Sequence, residues 1–259
     1  MEYLIIGIIA ATASLLTFFS GFGLGTILTP AFMLFFPIDV AIALTGIVHL
    51  LNNLFKLGLI GKHINTNVLW RFGLPAMATA FAGAWLLTTL ASFEPIFNYE
   101  FIGKSFSISP VNITITLLML TFAMFELSKK LNKIQFGKYA LIPGGLLSGF
   151  FGGLSGHQGA LRTMFLIKCG LSKESFIATG VAIACLVDVS RLFIYFEKFD
   201  MNLLETNYVL LLTATLSAFG GAYFGRVALK KITLGFVQKV VAVMIIILAV
   251  LLGTGVLEK

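Results

Sequence analysis

Apolar residues run through this chain in long blocks, and a few polar or glycine-rich stretches punctuate them. Residues 4–19 form a helix-length apolar block, followed by Ser20-Gly21-Phe22-Gly23-Leu24-Gly25 and a shorter apolar block over 26–36. One continuous helix over 4–36 would be roughly 50 Å long, against a hydrocarbon core of about 30 Å. The pattern therefore predicts a helix, a break and a half-helix that returns to the side it came from. Pro37-Ile38-Asp39 reads as a turn, with Asp39 as N-cap of a helix over 40–60. A span over 68–90 follows, carrying Ala78, Ala80, Ala82, Gly83 and Ala84, small residues suited to close helix contact. Residues 92–110 read as a polar loop with Glu94, Glu100 and Lys104. A span over 111–125 and a basic stretch over 126–138 complete the first half.

The same order then recurs. An apolar block over 139–151 leads into Gly152-Gly153-Leu154-Ser155-Gly156-His157-Gln158-Gly159, and a half-helix is predicted over 160–169. Ser172, with Glu174 and Ser175 behind it, opens a helix to about Phe196. Spans over 208–228 and 236–256 close the chain. Identities support an internal repeat: Ser20-Gly21 matches Ser155-Gly156 at an offset of 135, and Thr45-Gly46 matches Thr179-Gly180 at 134. Gly25/Gly159 and Thr29/Thr163 also fall at 134, and Phe81-x-Gly83-Ala84 matches Phe219-x-Gly221-Ala222 at 138.

Charge signs orient the two copies. The basic loop 56–71 corresponds to the acidic loop 197–207, and the acidic loop 93–110 to the basic loop 226–239. Basic loops stay on the cytoplasmic side, so equivalent loops lie on opposite faces of the membrane. The expected fold is an all-α polytopic membrane protein of two inverted-topology repeats. Each repeat is a broken helix/half-helix hairpin plus three transmembrane helices. The first covers 1–128, a basic cytoplasmic linker 129–137, and the second 138–259, with both termini outside.

Composition agrees. Of 259 residues, 58% are apolar and 11% charged, against about 25% charged in a soluble domain. The net charge of +7 sits in short loops with no interleaved stacking aromatics, so membrane lipid is expected around the chain and nucleic acid is not a partner. Cys169 and Cys185 lie in apolar segments and read as small buried hydrophobes. No cofactor or metal motif is present. The first apolar block lacks a basic lead-in, carrying Glu2 instead, and is read as a retained helix rather than a signal peptide.

Irregular backbone survives at membrane depth only inside protein or beside a water-filled cavity, and paired breaks in two halves point to a transporter binding site. Half-helices starting at Gly25 and Gly159 would aim unsatisfied N–H groups and their positive dipole ends inward, which suits an anion. Thr26, Thr29 and Thr163 add hydroxyls. Arg162 places a cation in the first turn of the second half-helix, where it opposes the dipole unless an anion or Asp188 is near. His157 and Gln158 make the second break the more polar one. Asp188 and Arg191, at i,i+3, can pair; such residues face a bundle interior. His49, Asn52, Asn53 and Lys56 form one polar stripe, read either as interhelical hydrogen bonding or as a coupling site, with His49 able to carry a proton near neutral pH. Lys56 and Arg191 lie toward helix ends, where snorkelling is the alternative. Gly153-Leu154-Ser155-Gly156 also matches the GxSG stretch of rhomboid intramembrane proteases. A nucleophilic serine needs a base, and no His follows His157, so an enzyme is not expected.

Taken together, Ser20-Gly21-Phe22-Gly23-Leu24-Gly25-x-x-x-Thr29-Pro30 and Gly152-Gly153-Leu154-Ser155-Gly156-His157-Gln158-Gly159, with Ala43-Leu44-Thr45-Gly46 and Ala178-Thr179-Gly180, resemble the sulfite exporter TauE/SafE family over nearly the whole chain. The resemblance implies a carrier in a bacterial or archaeal cytoplasmic membrane that moves small sulfur-containing anions, usually outward. His157-Gln158 and Arg162 depart from the small residues of many members. On this reading Gly25, Thr26, Thr29, His157, Gln158, Gly159, Arg162 and Thr163 surround the anion. His49, Asn52, Asn53, Asp188 and Arg191 serve coupling or gating, with proton coupling through His49, Asp188 or His157. An anion channel using the same site is the alternative, and a homodimer is left open.

Overall fold

Helix fills almost every apolar block in the computed structural model, which describes residues 2–18, 24–101, 103–128, 136–198, 202–228 and 234–257. The first half contains α1 (Glu2–Thr17), α2 (Leu24–Met33) and α3 (Ile38–Ile60), then α4 (Thr66–Val68) running through a π-helical turn, Leu69–Gly73, into α5 (Leu74–Ala91). A hairpin of β1 (Phe97–Phe101) and β2 (Lys104–Ile108) precedes α6 (Pro110–Leu127). The second half contains α7 (Leu141–Ser155), α8 (Gly159–Leu166), α9 (Lys173–Lys198), α10 (Asn202–Ala228) and α11 (Leu234–Gly253). Among the described residues, four stretches are long and apolar enough to cross a membrane: Ile38–His63, Thr66–Ala91, Lys173–Lys198 and Asn207–Arg226. Shorter apolar helices accompany them, and the chain is a multi-pass membrane protein.

Several boundaries follow the expected physics. Ser172 accepts a hydrogen bond from the Ser175 N–H at 3.2 Å, so it caps α9. The second break is real: α7 ends at Ser155 and α8 begins at Gly159. Gly156 turns the chain with φ +77°, its N–H donating to the Gly152 carbonyl at 2.9 Å. That left-handed conformation favours glycine. Ser20 to Gly23 of the first break, and 129–135 of the linker, lie outside the described residues.

Three expectations need correction. Asp39 is not the N-cap of α3. Pro37 holds that position without a side-chain bond, because its fixed φ already sets the entry, and Asp39 sits in the first turn, where a carboxylate complements the dipole. Residues 97–108 are not a loop but an antiparallel hairpin with Tyr99 opposite Phe106. Their rings stack at 5.2 Å, and Gly103, φ +69°, makes the turn. The alternation of aromatic with polar residues in Phe97-Asn98-Tyr99-Glu100-Phe101 is a strand signal that the charges obscured. Finally, Lys56 does not belong to the basic loop, since it lies buried within α3, which leaves Lys62 and Arg71 to carry that loop's charge.

Close packing depends on missing side chains. Cβ atoms on Gly145, Gly149 and Gly153 of α7 would lie 2.3, 2.0 and 2.1 Å from the carbonyl oxygens of Phe72, Ala76 and Ala80. Gly221 of α10 approaches the Ala11 carbonyl in the same way, at 2.1 Å, with Gly225 at 3.0 Å from that of Leu15. In both pairs residue numbers rise together, so α5 and α7 run parallel, as do α1 and α10. The pairs α3 with α9 and α6 with α11 run the other way. Gly46 meets Leu192 while Asn65 N–H donates to Thr179 Oγ1 at 2.8 Å. Gly255 meets the Ser107 carbonyl while Thr116 Oγ1 donates to that of Ala249 at 3.3 Å. Exchanging α1 with α7, α3 with α9, α5 with α10 and α6 with α11 maps this set of packed pairs onto itself.

Candidate functional site

At the antiparallel crossing of α3 and α9, polar side chains spaced three and four apart on apolar helices meet in the interior. Asp188 and Arg191 are both 0% exposed. Arg191 Nη2 lies 2.8 Å from Asp188 Oδ1 and Nε donates to the same oxygen at 3.0 Å. The other oxygen, Oδ2, lies 2.6 Å from His49 Nδ1. The Asn53 amide nitrogen is 3.3 Å from His49 Nε2 and 3.2 Å from Nδ1. A neutral imidazole satisfies this arrangement when Nδ1–H donates to Asp188 and Nε2 accepts from Asn53. The result is a charged link between the two halves of the chain.

One turn further along α3, Asn52 completes a second group. With its amide oriented to satisfy its surroundings, its N–H donates to the Ala218 carbonyl at 3.1 Å and its oxygen accepts from Lys56 Nζ at 3.3 Å. Ser14 Oγ lies 3.2 Å from the same amide. The Lys56 ammonium sits 5.6 Å from the centre of the Phe18 ring, a cation–π contact. Lys56 is 4% exposed and Arg191 0%, so neither snorkels. Lys56 is held by Asn52 of its own helix and by the Phe18 ring, and Arg191 by Asp188 of its own helix.

A small cavity lies beside these groups. Its polar lining is Thr17, His49, Asn53, Lys56 and Arg162, and Phe18, Leu24 and Val181 close it. Arg162 comes from α8 and packs over Gly180 of α9, where a Cβ would be 3.4 Å from its Nε. Gly46 of α3 makes room in the same way for Arg191, whose guanidinium carbon would lie 3.3 Å from a Cβ there. The Thr45-Gly46 and Thr179-Gly180 pairs that marked the repeat thus each seat a guanidinium. Nothing in the sequence pattern distinguished that use from ordinary helix contact.

The half-helices border this region unequally. Leu24, at the start of α2, lines the cavity. A Cβ on Gly25 would lie 3.5 Å from the Gly156 carbonyl and 3.9 Å from His49 Cδ2, so the start of α2 abuts both the second break and the α3–α9 cluster. Thr26 and Thr29 are buried, and Thr29 Oγ1 has no hydrogen-bond partner among the described residues.

At the second break, His157 Nδ1 donates to the Ser155 carbonyl at 2.8 Å, and its ring stacks at 6° on Phe122 of α6. Gln158 precedes α8 and packs against Gly152, which Val187 also approaches. Both ends of its amide, and His157 Nε2, lack partners among the described residues. Gly159 is buried at the first position of α8, and Thr163 is half-buried. None of Thr26, Thr29, His157, Gln158, Gly159 and Thr163 lines the cavity. Of the expected anion contacts Arg162 does. His49 and Asn53, expected in coupling, join it there, together with Lys56, which was expected to act only in the α3 stripe.

The GxSG stretch does not assemble a serine–histidine pair. Ser155 Oγ donates to the Phe151 carbonyl at 3.0 Å, and the imidazole of His157 bonds the serine's carbonyl instead of its hydroxyl. Among the described residues no group of three or more His, Cys, Asp or Glu is placed to hold a metal. Cys169 and Cys185 are free thiols.

Compared with known families, residues 5–252 match the family model described as Sulfite exporter TauE/SafE. No curated protein matches the chain, and no solved structure matches it.

Proposed function

Because this chain belongs to the sulfite exporter TauE/SafE family, whose members are membrane transporters of sulfite or related anions, we propose that it exports a sulfur oxyanion, sulfite or an organosulfonate, by proton-coupled alternating access. The membrane is the cytoplasmic membrane of a bacterium or archaeon. The observation that carries the anion assignment is the lining of the cavity: Lys56 and Arg162 face it together, while Asp188 has one oxygen on Arg191 and the other on His49. Burying cationic side chains among apolar helices is costly, and an anion bound between them offsets part of that cost.

On this reading the repeats 1–128 and 138–259 are inverted copies joined by the linker 129–137. The antiparallel packing of α3 on α9 and of α6 on α11 supports that assignment, because equivalent helices of inverted copies run in opposite directions. Rocking of the halves about this crossing changes which face is open. Gly25 and Thr26 follow Leu24, which lines the cavity, and their N–H groups reach the anion once the halves have moved. Thr29, His157, Gln158, Gly159 and Thr163 form a second set of contacts, used when the other face opens. The orphaned Thr29 hydroxyl and Gln158 amide are the features of that set that call for a ligand. His49 carries the proton, because it joins Asp188 to the cavity, and Asn52, Asn53 and Arg191 hold the cluster in register.

Sulfite efflux from proteoliposomes tests this. Arg162→Ala is expected to lower flux by about tenfold or more, the scale of one buried charge-assisted contact. Unchanged flux in the folded variant removes Arg162 from the anion site. His49→Gln keeps a hydrogen-bonding side chain but cannot take up a proton. It is expected to retain downhill anion exchange and to lose the response to an imposed pH gradient, and a response equal to wild type would place the coupling elsewhere. Saturable exchange of one anion for another marks a carrier, whereas ohmic current marks a channel.

A further inference from the structure

We infer that the β1–β2 hairpin lies in the lipid interface, with its aromatic face on the acyl chains and its polar face in water, and so anchors one end of the bundle in the membrane surface. Side chains alternate along a strand, and directly opposed residues share a face. Phe97, Tyr99 and Phe101 of β1 therefore stand on one face with Ile108 and Phe106, which oppose Phe97 and Tyr99. Asn98 and Glu100, opposed by Ser107 and Ser105, stand on the other. An isolated two-stranded hairpin is marginal in water, and only the middle of this one's aromatic face is tied down. Tyr99 stacks on both Phe97 and Phe106, and its hydroxyl donates to the Thr254 carbonyl at the end of α11. Phe97 and Phe101 remain 58% and 63% exposed.

The point of attachment decides what covers these two rings. Val243, Ile247, Val250 and Thr254 lie four, three and four residues apart and are all exposed, so they form one stripe along α11. The opposite side of α11, at Ala242, Ile245, Ala249 and Leu252, is buried in the bundle. In a multi-pass membrane protein, an exposed apolar stripe of this kind faces lipid. Tyr99 meets the stripe at its last residue, and the aromatic face carries that lipid-facing surface beyond the helix. The hairpin also falls between two other helix ends, after α5 stops at Ala91 and before α6 starts at Pro110. Chain at that level leaves the hydrocarbon, which is where aromatic side chains collect. A second copy of the chain is a poorer cover. Two rings at about sixty per cent exposure present on the order of 250 Å², against roughly 800 Å² per partner in a stable interface.

Single-tryptophan proteins make the test, with Trp70→Phe and Trp85→Phe as the background and either Phe101→Trp or Asn98→Trp as the reporter. All four side chains are exposed, so folding is not at stake. The full chain is reconstituted in phosphatidylcholine liposomes whose acyl chains are brominated either near the headgroup or near the bilayer centre. An interfacial apolar face sits about 5–10 Å into the headgroup and acyl boundary, so shallow bromine is expected to lower the emission of Phe101→Trp at least about twofold. Deep bromine is expected to quench it less, and aqueous iodide hardly at all. Asn98→Trp, on the polar face, is expected to respond to iodide and not to bromine. Iodide quenching of Phe101→Trp without any response to brominated lipid would place the hairpin in water and overturn the inference. Shielding from both quenchers would overturn it as well, because protein, such as a second copy of the chain, would then cover the face.

Discussion

Replacing Asp188 with alanine is expected to destabilise the folded protein by about 3–5 kcal/mol, the cost of stripping one partner from a buried ion pair. The carboxylate is 0% exposed and holds two groups, Arg191 on Oδ1 and His49 on Oδ2. Without it the Arg191 guanidinium, also 0% exposed, keeps its charge and has nowhere to place it. The loss also unties α3 from α9. The midpoint of thermal unfolding in detergent reads the effect, and a variant within about 1 kcal/mol of wild type, below the range for such pairs, would show that the cluster does not hold the crossing. A double-mutant cycle separates pairing from simple burial. Asp188→Ala combined with Arg191→Met removes both charges, and it is expected to be less destabilised than Asp188→Ala alone, because groups sharing one ion pair are not additive. On the proposed reading, the single variant is also expected to lose sulfite efflux.

Adding one methyl group at Gly149 is the second large effect. Its Cβ would stand 2.0 Å from the Ala76 carbonyl oxygen and 2.4 Å from the Ala76 Cα. Both are backbone atoms of α5, so no side chain can turn aside, and the two helices must part. Gly149→Ala is expected to cost about 1–3 kcal/mol or more, as overpacking does, against the roughly 0.5–1 kcal/mol that alanine contributes over glycine inside a helix. Gly58→Ala serves as its control. That glycine also lies inside a helix, α3, but nothing comes within 4 Å of a Cβ there, so only the helix-propensity gain remains. Unfolding midpoints should move in opposite directions for the two variants. A rise for both would mean that α5 and α7 are not packed backbone to backbone.

The pattern of polar and apolar positions by itself determined the class of the molecule and most of its element list, because burial in lipid is written residue by residue into composition. The break at Gly156, the start of α8 at Gly159 and the cap at Ser172 were legible for a related reason. Each depends on a local conformational demand that a particular residue type meets. The hairpin 97–108 was hidden because its alternation is short and carries charges, and Asp39 was displaced by the neighbouring proline.

The site was legible as a set of side chains but not as an arrangement. His49, Asp188, Arg191 and Arg162 stood out because charge is expensive among apolar residues wherever it lies. Which of them meet was decided by the antiparallel crossing of α3 on α9, which brings His49 to Asp188 across 139 residues of chain and turns Lys56 inward instead of toward solvent. Arg162 reaches the cavity from α8, over Gly180 of α9. His157 is turned against Phe122 and Gln158 against Gly152. Spacing along one helix fixes the face a residue shares. Which partner that face meets depends on packing between helices, and here that packing rests on glycines that admit a backbone or a guanidinium.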